Sequence, residues 1–284
     1  MIPVFNLFGK EISAYLIMGL IGVFAMMGFG LREAKKSDVN ELQMLSLFCW
    51  SFVGIIVGGH LMYGVTQIQK IISLIHNFEK ITSLRQFADC MVIIFGGSVY
   101  YGGLIGVLLI GFLFCKARKL DTGSYFDIGA MSVALFHFFG RIGCFLGGCC
   151  YGIEWKYGVT YHFSPVEACN GVPRFPVQLI EAVLNLILFF VLYYCHKNGY
   201  FKKMLMAVYC LVYPTYRFIL EYYRADEYRG FLGGLSTSQI ISLLFIIFTL
   251  AVIFAVNHKK LKAKKSSEPN TSSEKDPETK KTIC

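Results

Sequence analysis

An arginine and a histidine lie one helical turn apart within a stretch that is otherwise apolar and rich in glycine. They are Arg141 and His137, and the stretch continues to Gly152. No acidic residue lies within a helical turn of Arg141, and a guanidinium is a planar fork of donors that suits phosphate. The glycines predict either close backbone approach or a break in the helix, where free N–H groups beside Arg141 would bind an anion. They are Gly140, Gly143, Gly147, Gly148 and Gly152.

A second charged stretch contains Tyr213, Arg217, Glu221 and Arg224, which recur at intervals of four, four and three residues. This spacing predicts that the four side chains share one face of a helix. Charged residues inside apolar stretches are costly, so each is a candidate for function. The alternative is structural, in which Arg217 and Glu221 neutralise each other and hold two spans together.

Cysteines near the first stretch invite a metal or a disulfide interpretation. Structural zinc sites usually use paired Cys-x₂-Cys ligands, which Cys144, Cys149 and Cys150 match weakly. A disulfide between Cys150 and Cys169 is an alternative in an oxidising compartment. We favour packing by small buried thiols, and therefore predict neither a metal ion nor a cofactor.

The composition indicates which elements position these groups. The chain has 284 residues, of which 55% are hydrophobic and 16% charged, and its mean hydropathy is +0.55. A soluble domain carries about a quarter charged residues, and the apolar residues here come in blocks of about 18 to 25, the length that crosses a bilayer. This predicts an all-α, polytopic membrane bundle and argues against a secreted disulfide scaffold. Lys and Arg lie in short clusters beside the apolar blocks, so the formal charge of +9 does not indicate nucleic-acid binding.

Long apolar runs predict about seven transmembrane helices in a domain covering residues 1–258. The predicted spans are Ile12–Gly30, Leu45–Val65, Met91–Cys115, Ile128–Cys149, Val177–Cys195, Met204–Glu221 and Ser238–Val256. Basic clusters follow the first and third spans, join the fifth to the sixth, and follow the seventh. All four lie on one side if the N-terminus is outside and the C-terminus inside, which agrees with the positive-inside rule.

Four segments outside these spans also have distinct compositions. Residues 66–90 space their apolar side chains as an amphipathic helix at the outer interface would, and residues 150–176 form an outer loop. Residues 259–284 contain no aromatic residue and are rich in Lys, Ser, Glu and Pro, which predicts a disordered basic tail in the cytoplasm. Met1–Glu11 has no basic region ahead of an apolar stretch, so we predict no removable signal peptide.

In their order and spacing, the two charged stretches resemble those of the bacterial prolipoprotein diacylglyceryl transferases. The family signature Gly-Arg-(Ile/Leu/Val)-Gly-Asn-Phe-x-Asn-x-Glu-x-x-Gly is matched at Gly140, Arg141, Ile142, Gly143, Phe145 and Gly152. The later motif Tyr-x-x-Phe-Arg-x-x-x-Glu-(Phe/Tyr)-(Phe/Tyr)-Arg is matched at Tyr213, Tyr216, Arg217, Glu221, Tyr222, Tyr223 and Arg224. Weaker similarities lie at Tyr15, Gly58–His60, Tyr101–Gly106, Arg174–Ala182 and Gly234–Gln239.

The resemblance implies the first step of lipoprotein maturation at the outer face of the bacterial cytoplasmic membrane. In that reaction an sn-1,2-diacylglyceryl group passes from phosphatidylglycerol to the lipobox cysteine thiol of a prolipoprotein signal peptide. The lipid bilayer is the other expected partner, and no nucleic acid is expected. The catalytic residues that it implies are Arg141, Arg217, Tyr101, His137 and Glu221. The implied substrate-binding residues are Tyr15, Arg141, Gly143, Cys144, Gly152, Tyr213 and Arg224.

The sequence departs from the family pattern where a proton acceptor is expected. Tyr101 stands at the position of a histidine, and a phenol is a poorer base than an imidazole at neutral pH. Cys144 and Cys149 stand at the positions of the signature Asn and Glu. Two explanations stay open: the base has moved, or nearby cations ionise the acceptor thiol without one. The candidates for a moved base are His60, His137, His162 and Glu221.

These departures also leave open an alternative function, that of an altered paralogue which binds anionic lipid or peptide without transfer. A transporter or channel is disfavoured because the sequence has no evident internal repeat.

Overall fold

The computed structural model of the protein describes residues 4–7, 10–225 and 231–267, and helices account for most of them. The α-helices are α1 Ala14–Lys36, α2 Glu41–Thr66, α3 Ile68–His76, α4 Leu84–Phe95, α5 Tyr100–Ala117, α6 Thr122–Leu146, α7 Val177–Lys197, α8 Leu205–Leu220 and α9 Thr237–Ser267. Short antiparallel pairs join β1 Val4–Leu7 to β2 Lys10–Ser13, β3 Glu154–Thr160 to β4 Pro173–Arg174, and β5 Phe231–Leu232 to β6 Leu235–Ser236. The all-α prediction is confirmed.

Five of the described helices are long and apolar enough to cross a membrane, namely α1, α2, α6, α7 and α9. The protein is therefore a multi-pass helical membrane protein. Helix α5 is a shorter apolar helix, and α8 has 16 residues. The count of seven spans and the orientation stay predictions.

The predicted third span, Met91–Cys115, is two helices rather than one. Helix α4 ends at Phe95 and α5 begins at Tyr100, because consecutive glycines between them are poor helix formers. His60 satisfies the carbonyls at the break, since its Nδ1 lies 2.7 Å from the Phe95 oxygen and 2.8 Å from the Gly97 oxygen. Carbonyl oxygens only accept hydrogen bonds, so Nδ1 carries the proton.

Of the two alternatives that the glycines near Arg141 left open, the structure shows close backbone approach and not a helix break. Helix α6 runs without interruption from Thr122 to Leu146 and includes Gly143. Gly143 instead allows α1 to approach closely, because a Cβ there would lie 3.3 Å from Cδ2 of Tyr15. An anion at Arg141 therefore meets side chains rather than a new helix N-terminus.

Two segments outside the predicted spans are helical. Helix α3 occupies Ile68–His76 and exposes the apolar residues Ile72 and Ile75, as an amphipathic helix would. Helix α9 continues to Ser267, so disorder from residue 259 is wrong for the first nine residues of the predicted tail. Lys, Leu and Ala are strong helix formers, which explains the extension. Residues 268–284 lie outside the described residues.

Helices α2 and α5 pack backbone against backbone. A Cβ at Gly58 would lie 2.2 Å from the carbonyl oxygen of Gly102, and one at Gly106 would lie 2.0 Å from that of Gly54. Small residues four apart on each helix permit such contact between membrane helices. Helix α5 is thereby held in the bundle with Tyr101 at its N-terminal end.

Candidate active site

Arg141 on α6 is paired with an acid from another helix. Its Nη2 lies 3.0 Å from Oε1 of Glu181 on α7, and Glu181 is fully buried. The hydroxyl of Tyr213 donates to the same oxygen over 3.4 Å. No acid lies within a helical turn of Arg141 along the sequence, but its partner comes from a neighbouring helix, which spacing along one helix does not indicate. An acidic residue within the apolar run of α7 was the signal that could have identified Glu181.

Arg217 and Glu221 form the ion pair that their spacing predicted. Nη2 of Arg217 lies 2.8 Å from Oε2 of Glu221, and Nη1 of Arg224 lies 3.9 Å from the same oxygen. Glu221 opens a 3₁₀ turn, Glu221–Tyr223, at the end of α8. Tyr213, Arg217 and Glu221 are all buried, so the predicted common face points into the protein.

Arg141, which is largely buried, and Arg217, which is buried, both retain donors that the described residues do not satisfy. Nε of Arg141 and Nη1 of Arg217 are buried without a hydrogen-bond partner among them, as is Oε2 of Glu181. Glu181 lies within the electrostatic influence of both arginines, so the two ion pairs form one cluster. A buried N–H of a charged group without a partner is costly. An anionic ligand with several oxygens would satisfy these donors.

Tyr101 and His137 border this cluster. The Tyr101 hydroxyl is hydrogen-bonded to Oγ of Ser242 on α9 and lies within the electrostatic influence of Arg217. His137 is buried, with Nδ1 3.4 Å from the Tyr209 hydroxyl and its ring centroid 4.6 Å from that of Tyr213. His137 therefore packs against the site from α6, and Tyr101 lies near it on α5.

The other two histidines considered as bases have different surroundings. His60 binds the carbonyls at the α4–α5 break. His162 is exposed just after β3. Of the candidate bases, the structure brings His137 and Glu221 to the arginine cluster.

Of the predicted substrate-binding residues, Tyr15 contributes a side chain near Arg141, whereas Gly152 has a role of its backbone. Tyr15 is 53% exposed at the start of α1 and lies against Gly143 of α6, which is close to Arg141 and Cys144 along the sequence. Gly152 has a backbone role, because a Cβ there would lie 2.3 Å from the carbonyl oxygen of Phe175. It forms an isolated β-bridge with Arg224, which joins the loop after α6 to the end of α8.

Three thiols meet at the end of α6. The Sγ atoms of Cys144, Cys149 and Cys150 all lie within 4.8 Å of one another. Cys169 is a free, buried cysteine, so the disulfide with Cys150 that the sequence left open is absent. Burial raises the pKa of the Cys169 thiol. The reason for the difference is the turn at Gly148, which brings Cys150 back toward Cys144.

A family model described as prolipoprotein diacylglyceryl transferase matches residues 3–255. The chain belongs to this family. The phosphatidylglycerol–prolipoprotein diacylglyceryl transferase of Clostridium tetani is 35% identical over 251 residues, covering 87% of this chain and 94% of the relative. A second such transferase of Clostridium perfringens is 31% identical over 265 residues, covering 92% and 96%. One from Campylobacter jejuni is 31% identical over 276 residues, covering 90% and 94%.

In this diacylglyceryl transferase family member, side chains that sequence reasoning did not select support the thiol turn. Gln178 donates to the Cys149 carbonyl over 2.7 Å and accepts from the Tyr161 hydroxyl over 3.2 Å. Burial raises the pKa of Tyr161 to about 12, so the hydroxyl keeps its proton. Ser164 donates to the Gly148 carbonyl over 2.8 Å.

Arg174 of this transferase is also buried, but its contacts hold the loop between α6 and α7 together. It donates to the Gly152 carbonyl over 3.3 Å and to that of Ala168, and its guanidinium lies 4.7 Å from the ring centroid of Tyr151. It therefore connects two parts of the segment between α6 and α7. A resemblance motif includes Arg174, yet only the fold separates its role from that of Arg141.

Proposed function

We propose that this protein transfers an sn-1,2-diacylglyceryl group from phosphatidylglycerol to the lipobox cysteine thiol of prolipoproteins. The observation that carries the proposal is a pair of arginines in an apolar bundle, the largely buried Arg141 and the buried Arg217, each with a buried donor that lacks a partner among the described residues. A lipid phosphodiester supplies the missing acceptors. Family membership and the printed names of the relatives support the same substrates.

The arginines bind the phosphate and stabilise it as it leaves. The acceptor thiol loses its proton, and the thiolate sulfur forms a bond to the glycerol carbon that bears the phosphate. The bond between that carbon and the phosphate oxygen breaks, and its electron pair stays on the oxygen of the departing glycerol phosphate. The phosphate gains negative charge in this step, so fixed cations contribute more in the transition state than in the ground state.

The acidic residues position the arginines rather than react. Glu181 and Glu221 each hold one guanidinium by a buried ion pair, at 3.0 and 2.8 Å. Each pair leaves other N–H groups of the same guanidinium available to a ligand. Tyr213 of α8 donates a hydrogen bond to Glu181 of α7, and its ring packs on His137 of α6. It therefore fixes the positions of α6 and α7 relative to α8.

The test is complementation of a bacterial cell depleted of its own transferase, scored by the lipidation of a reporter lipoprotein. We expect lipidation to return with the wild-type protein and not with an Arg141→Ala/Arg217→Ala variant expressed to the same level. Binding of phosphatidylglycerol vesicles without lipidation, at full expression, would contradict the proposal and indicate an altered paralogue.

We further propose that the site faces the outer leaflet of the cytoplasmic membrane, in a chain of seven spans with its C-terminus inside. The support is the one-sided distribution of the four basic clusters. In intact cells an impermeant thiol reagent should label the wild-type protein and a Cys284→Ser variant equally. After permeabilisation the wild-type protein should gain label that the variant does not. A difference in intact cells would contradict this orientation.

A further inference from the structure

The thiol cluster has the donor atoms and spacing of a metal site. Its three Sγ atoms lie within 4.8 Å of one another. A tetrahedral zinc ion at about 2.3 Å from each sulfur requires sulfur–sulfur separations of about 3.8 Å. Side-chain rotations can close that gap because Cys149 and Cys150 follow the end of α6 and are only half-buried. Thiolates are also the ligands that soft and borderline metal ions prefer.

The backbone of the turn is held in a conformation that brings the thiols together. Gly148 and Cys150 have φ angles of +69° and +57°. Glycine adopts this region freely, whereas a residue with a side chain does so at a cost. A cysteine at position 150 therefore keeps a thiol where the backbone would favour glycine. Gln178 and Ser164 fix the carbonyls of Cys149 and Gly148, as supporting hydrogen bonds do around metal ligands.

The thiol cluster adjoins Arg141 of the proposed phosphate site. Cys144 lies three residues after Arg141 on α6, so the two side chains are neighbours on one face of the helix. Tyr15, which is half exposed, lies against Gly143, which is between Arg141 and Cys144 along the sequence. A group bound at the thiols would therefore be close to a lipid phosphate bound at Arg141.

We propose that Cys144, Cys149 and Cys150 bind a Zn²⁺ ion and that its fourth position takes the acceptor thiol of the prolipoprotein. The second half rests on the proposed function. Three protein ligands with one open position are the pattern of a catalytic zinc site, and a thiol that coordinates such a cation loses its proton.

The coordinated thiol releases its proton to water, and the sulfur then forms the carbon–sulfur bond while the carbon–oxygen bond to phosphate breaks. The product is a thioether, which is neutral and binds zinc more weakly than a thiolate, so it can leave. This arrangement ionises the acceptor without a strong base at Tyr101.

The first experiment measures zinc in the full chain, purified in lipid nanodiscs and dialysed against stoichiometric Zn²⁺. We expect one zinc ion per chain in the wild-type protein. In Cys149→Ser and in Cys150→Ser we expect a zinc content of about one-tenth of that value or less. Cys195→Ser is the matched control, because Cys195 is a half-buried free thiol on α7. A wild-type protein without zinc, or zinc retained in both cluster variants, would overturn the site.

The second experiment keeps the proposal testable if the variants fold poorly. X-ray absorption at the zinc edge of the wild-type protein should show three sulfur ligands at about 2.3 Å, and a fourth after a lipobox peptide is added. Copper in place of zinc, or a disulfide within the cluster, would overturn the proposal.

Activity separates this inference from the proposed function. Zinc bound by three sulfurs in a protein that does not restore lipidation would contradict the proposed function and leave the metal site standing. Full lipidation by Cys149→Ser would overturn the role of zinc in thiol activation and leave the proposed function standing.

Discussion

Helices α2 and α5 meet in the opposite way from helices α6, α7 and α8. At Gly58 and Gly102 the backbones of α2 and α5 touch, with no room for a side chain. Helices α6, α7 and α8 share an apolar core but also bury charged side chains between them, including Arg141, Glu181 and Arg217. At the α2–α5 interface, glycines leave room for the two backbones to touch. At the interface of α6, α7 and α8, charged side chains are buried, and these are the most costly to desolvate.

The difference separates what holds the bundle together from what the bundle does. Close backbone contact between glycines gains van der Waals packing without desolvating a charge. Buried ion pairs are weak contributors to stability, because desolvation offsets most of their attraction. The unsatisfied donors of Arg141 and Arg217 add a further cost in the absence of a ligand. The charged interface is thus suited to binding, and the glycine interface to rigidity.

The largest effect that would test this contrast comes from the arginines. Arg141→Ala and Arg217→Ala should each lower transfer by about 10²–10³-fold, the loss typical of removing one donor to a developing anion. Lys202→Ala, which removes an exposed cation between α7 and α8, should leave transfer unchanged. The measurement is diacylglyceryl transfer from phosphatidylglycerol to a lipobox peptide in membranes. Near-normal transfer by Arg141→Ala would show that this arginine does not bind the phosphate.

A paired variant separates lost chemistry from lost folding. Arg141→Ala alone leaves Glu181 buried without its cation, which is expected to destabilise by about 3–5 kcal/mol. Arg141→Ala/Glu181→Gln removes both charges, so it should restore the expression level and melting temperature but not transfer. Transfer that returned with stability would assign the pair a structural role only.

Glycine substitutions should give the reverse pattern. Gly106→Ala places a Cβ about 2.0 Å from the Gly54 carbonyl oxygen, and overpacking of this kind costs about 1–3 kcal/mol or more. We expect a lower melting temperature and, in the fraction that stays folded, ordinary specific activity. Gly28→Ala on α1 is the control, because a Cβ there meets nothing within 4 Å. Equal melting temperatures for the two variants would contradict the close contact.

The same contrast explains which of the buried ion pairs could be predicted from the sequence. Arg217 lies in the last turn of α8 and Glu221 opens the 3₁₀ turn that directly follows, so their spacing along the chain alone predicted the contact. Arg141 and Glu181 lie on different helices, and a contact between helices depends on their packing, which spacing does not encode. The resemblance motifs contained both stretches but could not say that Glu181 completes the ion pair.

The thiol turn and the break before α5 escaped prediction for a local reason. Cys-x₄-Cys-Cys matches no regular zinc spacing, and the thiols meet only because Gly148 and Cys150 adopt positive φ angles. The break at Gly96 and Gly97 lies inside an apolar run that hydropathy interprets as one span. His60 completes that break from α2, again a contact that involves a second helix.

The smallest effects are expected at Tyr101 and His137, where the two kinds of interface meet. Tyr101 is on α5 of the glycine interface, yet its hydroxyl binds Ser242 beside the arginine cluster. If the acceptor thiol ionises without a strong base, Tyr101→Phe and His137→Gln should each lower transfer by no more than about tenfold, the worth of one hydrogen bond. Ser242→Ala, which removes a hydrogen-bond partner of the Tyr101 hydroxyl, is the matched control and should resemble Tyr101→Phe.

Each other outcome of this pair of substitutions assigns a different role. A loss of about 10²–10⁴-fold in His137→Gln, with Tyr101→Phe active, would identify a histidine base of the strength general bases show. The same loss in Tyr101→Phe alone, with Ser242→Ala active, would mean that the phenol orients the lipid or takes the proton directly. Loss in both would require both groups, and α5 would then contribute to the chemistry as well as to the rigidity of the bundle.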